Sequence, residues 1–267
     1  MKSNIITFLT VTAMFYICLG QTYPETKVFD TITNTNAEPF NVINWQEAYR
    51  NRNVITFRGD YSPSSTSFFI DKNLILTAGH NVHTDFFSRI DWLKVIPGMY
   101  KETKPLDSLI INGRKKFKEV KRTPNKFSFS KRWKKRIKWD FALVYIPDIY
   151  LTEKMKNINR KIFVLDENYI LKKGDTIHVA GYPADGNNDG KYFGDLMIYQ
   201  IGEVQKIGDK HFYHNFYTEK GNSGSPIWVE HEGKRIIVGV HTFPNKGTLL
   251  DKENILIIKS WMSEILD

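Results

Sequence analysis

The sequence predicts an all-β fold with a helix at its C-terminus. Ten short runs rich in branched and aromatic residues are separated by Gly, Pro, Asn and Asp, which is the pattern of short strands joined by turns. The chain has 267 residues, enough for two cores of about a hundred residues each. Towards the end of the chain the apolar residues change to helical spacing.

The N-terminal residues differ from the rest of the chain. Lys2, an apolar run over 5–19 and the small residue Gly20 predict a secretory signal peptide over residues 1–20. The run is short for a membrane span, and a retained anchor is the alternative. The single cysteine, Cys18, would be removed with the signal, so we expect a secreted mature protein without a disulfide.

The elements of the mature chain follow in order. Residues 21–45 are rich in Thr, Asn and acidic residues and predict an N-terminal arm or pro-segment. The predicted strands of the first half cover 54–57, 67–70, 74–77, 92–96 and 141–146. Those of the second half cover 177–181, 196–201, 214–218, 226–229 and 236–241. Residues 255–267 are predicted as an amphipathic helix because Ile258, Trp261, Met262 and Ile265 share one face.

The most informative motif is the hexapeptide Gly-Asn-Ser-Gly-Ser-Pro at 221–226. A nucleophilic serine needs a base that removes its proton and backbone N–H groups that stabilise the resulting oxyanion. Flanking glycines let the N–H groups of Gly221 and Ser223 converge as a candidate oxyanion hole, while the side chain of Ser223 stays accessible. A simple turn between strands can have the same Gly, Ser and Pro composition, so other residues must distinguish a nucleophile loop from a turn.

Two further motifs make this distinction. Thr-Ala-Gly-His at 77–80 ends on His80, directly after an apolar strand, and Trp-Asp-Phe-Ala-Leu-Val at 139–144 places Asp140 directly before another. A carboxylate that accepts the imidazole N–H would fix the tautomer of His80 and stabilise the imidazolium. Either residue alone is commonly structural. Together with Ser223 they form a candidate catalytic triad, each member at the end of a strand.

These three motifs resemble those of the trypsin-like serine peptidases. The Asn of the serine motif and the segments 177–183 and 237–241 are most similar to the bacterial glutamyl endopeptidases, the branch of the staphylococcal V8 protease. The resemblance covers about residues 54–245. It implies two perpendicular six-stranded β-barrels, over 46–150 and 151–254, with the active site between them.

The resemblance also assigns a specificity pocket. Thr218, five residues before the nucleophile, and His241 occupy positions that line this pocket in the fold, and a hydroxyl and a ring N–H can both donate to a carboxylate. Glutamyl endopeptidases use this pair, so the resemblance implies cleavage of acidic protein or peptide substrates after Glu, with Asp as a further option. The alternative is that His241 is a packed strand histidine. Lys220 would add positive potential at the pocket rim or is merely solvated.

No cofactor and no metal are expected, because the seven histidines show no ligand-spaced cluster. The chain is expected to act as a monomer.

The second unusual feature of the sequence is the stretch 114–138, in which thirteen Lys or Arg residues accompany one acid, Glu119, within a whole-chain net charge of +9. A polyanion-binding face for glycosaminoglycan or nucleic acid is one interpretation, and a solvated surface is the other. If the stretch binds polyanions, the alternative function is a catalytically restricted toxin-like protein or pseudoprotease that acts as a binding module.

Overall fold

The computed structural model describes residues 26–29, 42–51, 65–82, 88–99, 104–112, 120–129, 136–157, 163–185, 192–193 and 196–266. The strands are β1 (Thr26–Phe29), β2 (Val42–Asn51), β3 (Ser65–Phe69), β4 (Leu74–Thr77), β5 (Ser88–Pro97), β6 (Leu109–Asn112), β7 (Lys121–Arg122), β8 (Ala142–Tyr145), β9 (Phe163–Val164), β10 (Thr176–Gly181), β11 (Ala184–Asp185), β12 (Tyr192–Phe193), β13 (Met197–Ile207), β14 (His211–His214), β15 (Pro226–His231), β16 (Lys234–Phe243) and β17 (Lys246–Leu249). The helices are α1 (Gly79–Val82), α2 (Asn125–Phe129), α3 (Glu153–Lys156) and α4 (Lys252–Leu266), with 3-10 turns at Ile137–Trp139 and Asp148–Tyr150.

The strands form two large sheets, one from each half of the chain. The first has seven strands in the order β6-β5-β2-β3-β4-β8-β7. The second runs β13-β10-β15-β16-β17-β14, and β13 also pairs with β14, which closes a six-stranded barrel. β1 adds to the outside of this barrel along β13, and β9 pairs in parallel with β16. The predicted all-β class, its double-barrel fold and its C-terminal helix are therefore confirmed.

Strand alternation divides the buried side chains into three clusters. Along β3, Phe69 belongs to the core of the first sheet, while its neighbour Phe68 points to the other side. Residues of β10, β14 and β15, such as Phe212, fill the second barrel. The third cluster joins both sheets and the buried face of α4, including Ile258. Because consecutive strand residues face opposite sides, β3 and β4 are buried along their whole length between two cores.

Most strand predictions coincide with observed strands, and β4 matches the predicted 74–77. The prediction of a strand over 214–218 is wrong, because β14 ends at His214 and the following residues form a loop. The predicted strand 54–57 lies outside the described residues. Segment 21–45, expected as an arm or pro-segment, contributes β1 and the first residues of β2, and its removal by processing stays a prediction.

α4 packs its apolar face on the first sheet near β8. Ile255 and Ile258 are buried, and the ring of Trp261 lies 5.8 Å from that of Phe141. Asp251 caps the helix by accepting the backbone N–H of Asn254 at 3.0 Å. In the part of the chain that the structure describes, α4 and every other helix are too short or too polar to cross a membrane.

Candidate active site

His80 and Asp140 form a partly buried hydrogen-bonded pair. His80 lies in α1, one turn past the end of β4, and Asp140 directly follows the 3-10 turn Ile137–Trp139. Nδ1 of His80 lies 2.8 Å from one carboxylate oxygen of Asp140, and the backbone N–H of His80 donates to the other at 2.8 Å. Asp140 is fully buried, while the side chain of His80 keeps 28% exposure. The carboxylate therefore fixes both the ring and the backbone of His80.

The electrostatics of this pair favour a protonated ring. Burial lowers the pKa of His80, but the charge of Asp140 and its hydrogen bond raise it by more. The pKa of His80 consequently lies above its ordinary value of 6.5. This is the arrangement expected for a base that must carry a proton briefly during turnover, with Asp140 stabilising the imidazolium.

The loop that carries Ser223 is attached to the same region. The carbonyl of Ser223 accepts the backbone N–H of Thr66 at 2.8 Å and the side-chain amide of Asn81 at 3.0 Å. Asn81 is the residue after His80, so the serine loop of the second barrel is fastened to α1 of the first. The loop of Ser223 is thus held next to α1, which carries His80, at the junction of the two barrels.

The backbone conformation of this loop depends on two glycines. Gly221 and Gly224 have φ values of +91° and +92°, in the left-handed region where side chains are disfavoured. A Cβ on Gly221 would lie 2.3 Å from the carbonyl oxygen of Tyr182, and one on Gly224 would lie 1.9 Å from that of Thr66. Among the described residues, the backbone N–H groups of Gly221 and Ser223 donate to no acceptor, so both remain available for an oxyanion.

His241 lies beside this loop and is fully inside the protein. Its backbone carbonyl accepts the N–H of Gly224 at 2.7 Å, and its own N–H donates to the carbonyl of Ser225 at 2.9 Å. Nδ1 of His241 lies 3.1 Å from Nε2 of His214, which is also buried. Burial and the nearby charge of His80 lower the pKa of His241 to about 3. Burial, with the charge of His241, lowers the pKa of His214 well below its ordinary value.

The other two predicted pocket residues are placed differently. The hydroxyl oxygen of Thr218 is buried and has no hydrogen-bond partner within the described ranges. A threonine hydroxyl can donate a hydrogen bond to a carboxylate or accept one from a donor. Lys220 is exposed, and its backbone carbonyl accepts the N–H of Ala184 at 2.6 Å. The structure thus fixes the backbone of Lys220 and leaves its side chain at the surface.

The basic stretch 114–138 is described only in part, since 113–119 and 130–135 lie outside the described residues. Several of its described cations contact acids elsewhere: Arg122 with Glu264, Lys126 with Glu253 and Lys138 with Asp209. These contacts fasten the stretch to α4 and to the second barrel. Polyanion binding by the stretch stays a prediction.

Three residues that matter at this site were not singled out from the sequence. Thr66 bonds to the serine loop, Asn81 to the carbonyl of Ser223, and His214 to His241. The sequence does contain a signal for His214. In β14 every second side chain points inward, and His214 is the next inward position after Phe212. There is no such signal for Thr66, since its partners are far away in sequence.

Comparisons with known proteins bear on the family and the fold of the chain. The trypsin-like peptidase domain matches residues 65–240. No curated protein matches the chain significantly. Among solved structures, a Glu endopeptidase in complex with MPD shares 22% identity and a TM-score of 0.63, covering 91% of this chain and 98% of that one.

Two further structures show the same fold at lower identity. Protease Anisep from Arthrobacter nicotinovorans has 13% identity and a TM-score of 0.58 over 83% of this chain and 93% of its own. The thermostable serine protease AL20 from an extremophilic microorganism has 14% identity and a TM-score of 0.57, over 84% and 99%. With the domain match spanning well over half of its residues, the chain belongs to the trypsin-like peptidase family.

Proposed function

We propose that this protein is a secreted serine endopeptidase that cleaves peptide bonds after Glu through Ser223, His80 and Asp140. The observation that carries the proposal is the partly buried His80–Asp140 pair next to a serine loop with two unused N–H groups. Because Nδ1 of His80 is bound to Asp140, Nε2 is the nitrogen left to accept the proton of Ser223. Secretion rests on the predicted signal peptide over residues 1–20.

The chemistry follows from the roles of these groups. Ser223 attacks the scissile carbonyl while Nε2 of His80 takes its proton, and the oxyanion is stabilised by the N–H groups of Gly221 and Ser223. His80 then gives the proton to the leaving amine, which departs as the C–N bond breaks. Water attacks the acyl-enzyme in the same way, His80 takes the water proton, and its return to Ser223 frees the acid product.

The specificity rests on neutral donors. With a pKa of about 3, His241 is uncharged near neutral pH. Two neutral rings whose nitrogens are 3.1 Å apart share one N–H, and the proposed specificity requires that His214 donates it. His241 then carries its proton on Nε2 and can donate to a substrate carboxylate, as can the unpartnered hydroxyl of Thr218. A solved relative that is itself a Glu endopeptidase supports this preference.

The test compares matched peptides that differ only in Glu or Gln before the scissile bond. Wild type should favour Glu by roughly ten- to a hundredfold in kcat/KM, the value of one charge-assisted hydrogen bond. His241→Ala and Thr218→Val should reduce this ratio while retaining labelling by a small fluorophosphonate. Ser223→Ala should lose labelling and about a million-fold in turnover without a change in fold.

The outcomes separate the two functions. An equal Glu/Gln ratio in all variants would contradict the assigned specificity but not the triad. Failure of folded wild type to react with fluorophosphonate or to cleave any peptide in a library would contradict the triad and favour the non-catalytic binding module.

A further inference from the structure

The turn that carries Asp140 belongs to the first barrel but is held by the second. Thr248 of β17 donates its hydroxyl proton to the carbonyl of Ile137 at 2.6 Å. Lys138 forms an ion pair with Asp209, in the turn between β13 and β14. Both contacts reach across the junction between barrels and end within three residues of the catalytic carboxylate.

The ring of Trp139, directly before Asp140, is contacted by two lysine ammonium groups. Nζ of Lys126 in α2 lies 4.2 Å from its centroid, and Nζ of Lys210 from the β13–β14 turn lies 4.7 Å away. Trp139 itself is 9% exposed. Cation–π contacts of this kind are strongest when the ring is shielded from water.

Carboxylates at the start of α4 hold these ammonium groups in place. Lys210 lies 2.8 Å from Asp251 and 2.8 Å from Glu253, and Lys126 lies 3.3 Å from the same Glu253. The Lys210 side chain is 14% exposed, so water screens its pairs less than it screens ordinary surface pairs. Glu253 thereby links α2 of the first barrel, the hairpin turn of the second barrel and α4 around one indole.

Lys210 has a backbone conformation that lysine rarely adopts. Its φ is +58°, in the left-handed region where Gly, Asn or Asp is favoured at a hairpin turn. A lysine there carries backbone strain that glycine would not. Strain of this kind persists where the surrounding structure uses the side chain.

We propose that Lys210 is a positioning residue that acts on Asp140 through Trp139. Its ammonium, held by Asp251 and Glu253, fixes the indole, and the indole fixes the next residue, Asp140, against His80. The proposal rests on the catalytic triad proposed above, but Lys210 itself touches no reacting atom. The ion pairs of Lys210 thus involve residues from both barrels. They help to align His80 of the first barrel with Ser223 of the second.

The test is Lys210→Asn, which removes the ammonium and suits the left-handed backbone. We expect kcat to fall roughly ten- to a hundredfold with little change in KM, the cost of a small misplacement in the site. Lys210→Arg should restore most of the rate. The control is Lys206→Met, which removes an ammonium 5.9 Å from the ring of Tyr213 on the same hairpin and should leave kcat unchanged.

The pH profile separates positioning from stability. Burial lowers the pKa of His80, and the charge and hydrogen bond of Asp140 raise it by more. If Asp140 shifts in Lys210→Asn, the base pKa in kcat/KM should fall towards 6.5, and Lys210→Arg should bring it back. A variant that loses thermal stability only, with kcat and base pKa as in wild type, would overturn the proposal. Failure of the triad itself would instead appear as an inactive wild type.

Discussion

At the scale of single residues, Thr66 joins the two barrels more directly than any motif in the sequence suggests. Its side chain is fully buried, donates to the carbonyl of Gly221 at 2.7 Å and accepts the N–H of Tyr182 at 2.9 Å. Its backbone N–H also holds the carbonyl of Ser223. The hydroxyl therefore satisfies two buried backbone groups of the second barrel and shapes the oxyanion loop.

Thr66→Val keeps the shape of this side chain and removes its hydroxyl. Two buried backbone groups lose their partner, so we expect the free energy of unfolding to fall by about 2 kcal/mol or more, with a lower kcat because Gly221 is released. Urea denaturation and peptide hydrolysis measure the two effects. Thr176→Val, at an exposed strand position, is the matched control. Equal stability of the two variants would show that the hydroxyl of Thr66 is dispensable.

The pKa values of His80 and His241 predict a specific pH dependence. His80 must be neutral to accept a proton and Asp140 holds its pKa above 6.5, so kcat/KM should rise with pH to a midpoint above 6.5. His241, which faces His214 and His80, is already neutral from about pH 4 upwards. The Glu/Gln efficiency ratio should therefore stay constant between pH 6 and 9. A ratio that declines across this range would mean that His241 acts as a cation.

At the scale of elements, α4 contributes to stability through one face only. Ile258 is fully buried in the cluster that joins both sheets, while Leu256 on the same helix is 48% exposed. Ile258→Ala should lower the free energy of unfolding by roughly 2–5 kcal/mol through lost burial and a residual cavity. Leu256→Ala should lower it by far less. Denaturation midpoints with unchanged m-values measure both, and similar losses would mean that α4 does not dock as described.

Sequence patterns identified most strands, because short apolar runs between turn residues are a local signal. β4 was predicted to the residue, because a short apolar run between turns has few other outcomes. The strand over 214–218 was mispredicted, since Tyr217 bonds through its backbone to the side chain of Gln200 instead of to a neighbouring strand. The candidate triad could be proposed from the sequence because each member has its own motif. Lys210 and Thr66 were not, because their roles depend on partners contributed by other parts of the chain.

At the scale of the whole molecule, the excess of positive charge is concentrated in one stretch. Its cations Arg122, Lys126 and Lys138 are already paired with acids. Any binding of polyanions should therefore depend on the remaining cations. Replacing four of these with Gln should lower the salt concentration that elutes the protein from heparin, and the four are Lys131, Arg132, Lys134 and Lys135.

The control carries the same change in charge elsewhere. It replaces four lysines outside the stretch that form no ion pair within the described residues, Lys172, Lys173, Lys234 and Lys252. If both variants elute at the same salt concentration, retention reflects net charge alone, and the stretch is only a solvated surface.

The pairing of β1 with β13 has a consequence for the order of folding. Thr26 of β1 lies opposite Gln200 of β13. The partner strand of β1 is therefore far away in the sequence, at about three-quarters of the chain length. Pairs so distant in sequence form only after a long loop has closed. In pulse-labelling hydrogen exchange, the amides of β1 should gain protection after those of the β15–β16 hairpin, whose partners are neighbours in the chain. β1 would then join the barrel after the β15–β16 hairpin has formed.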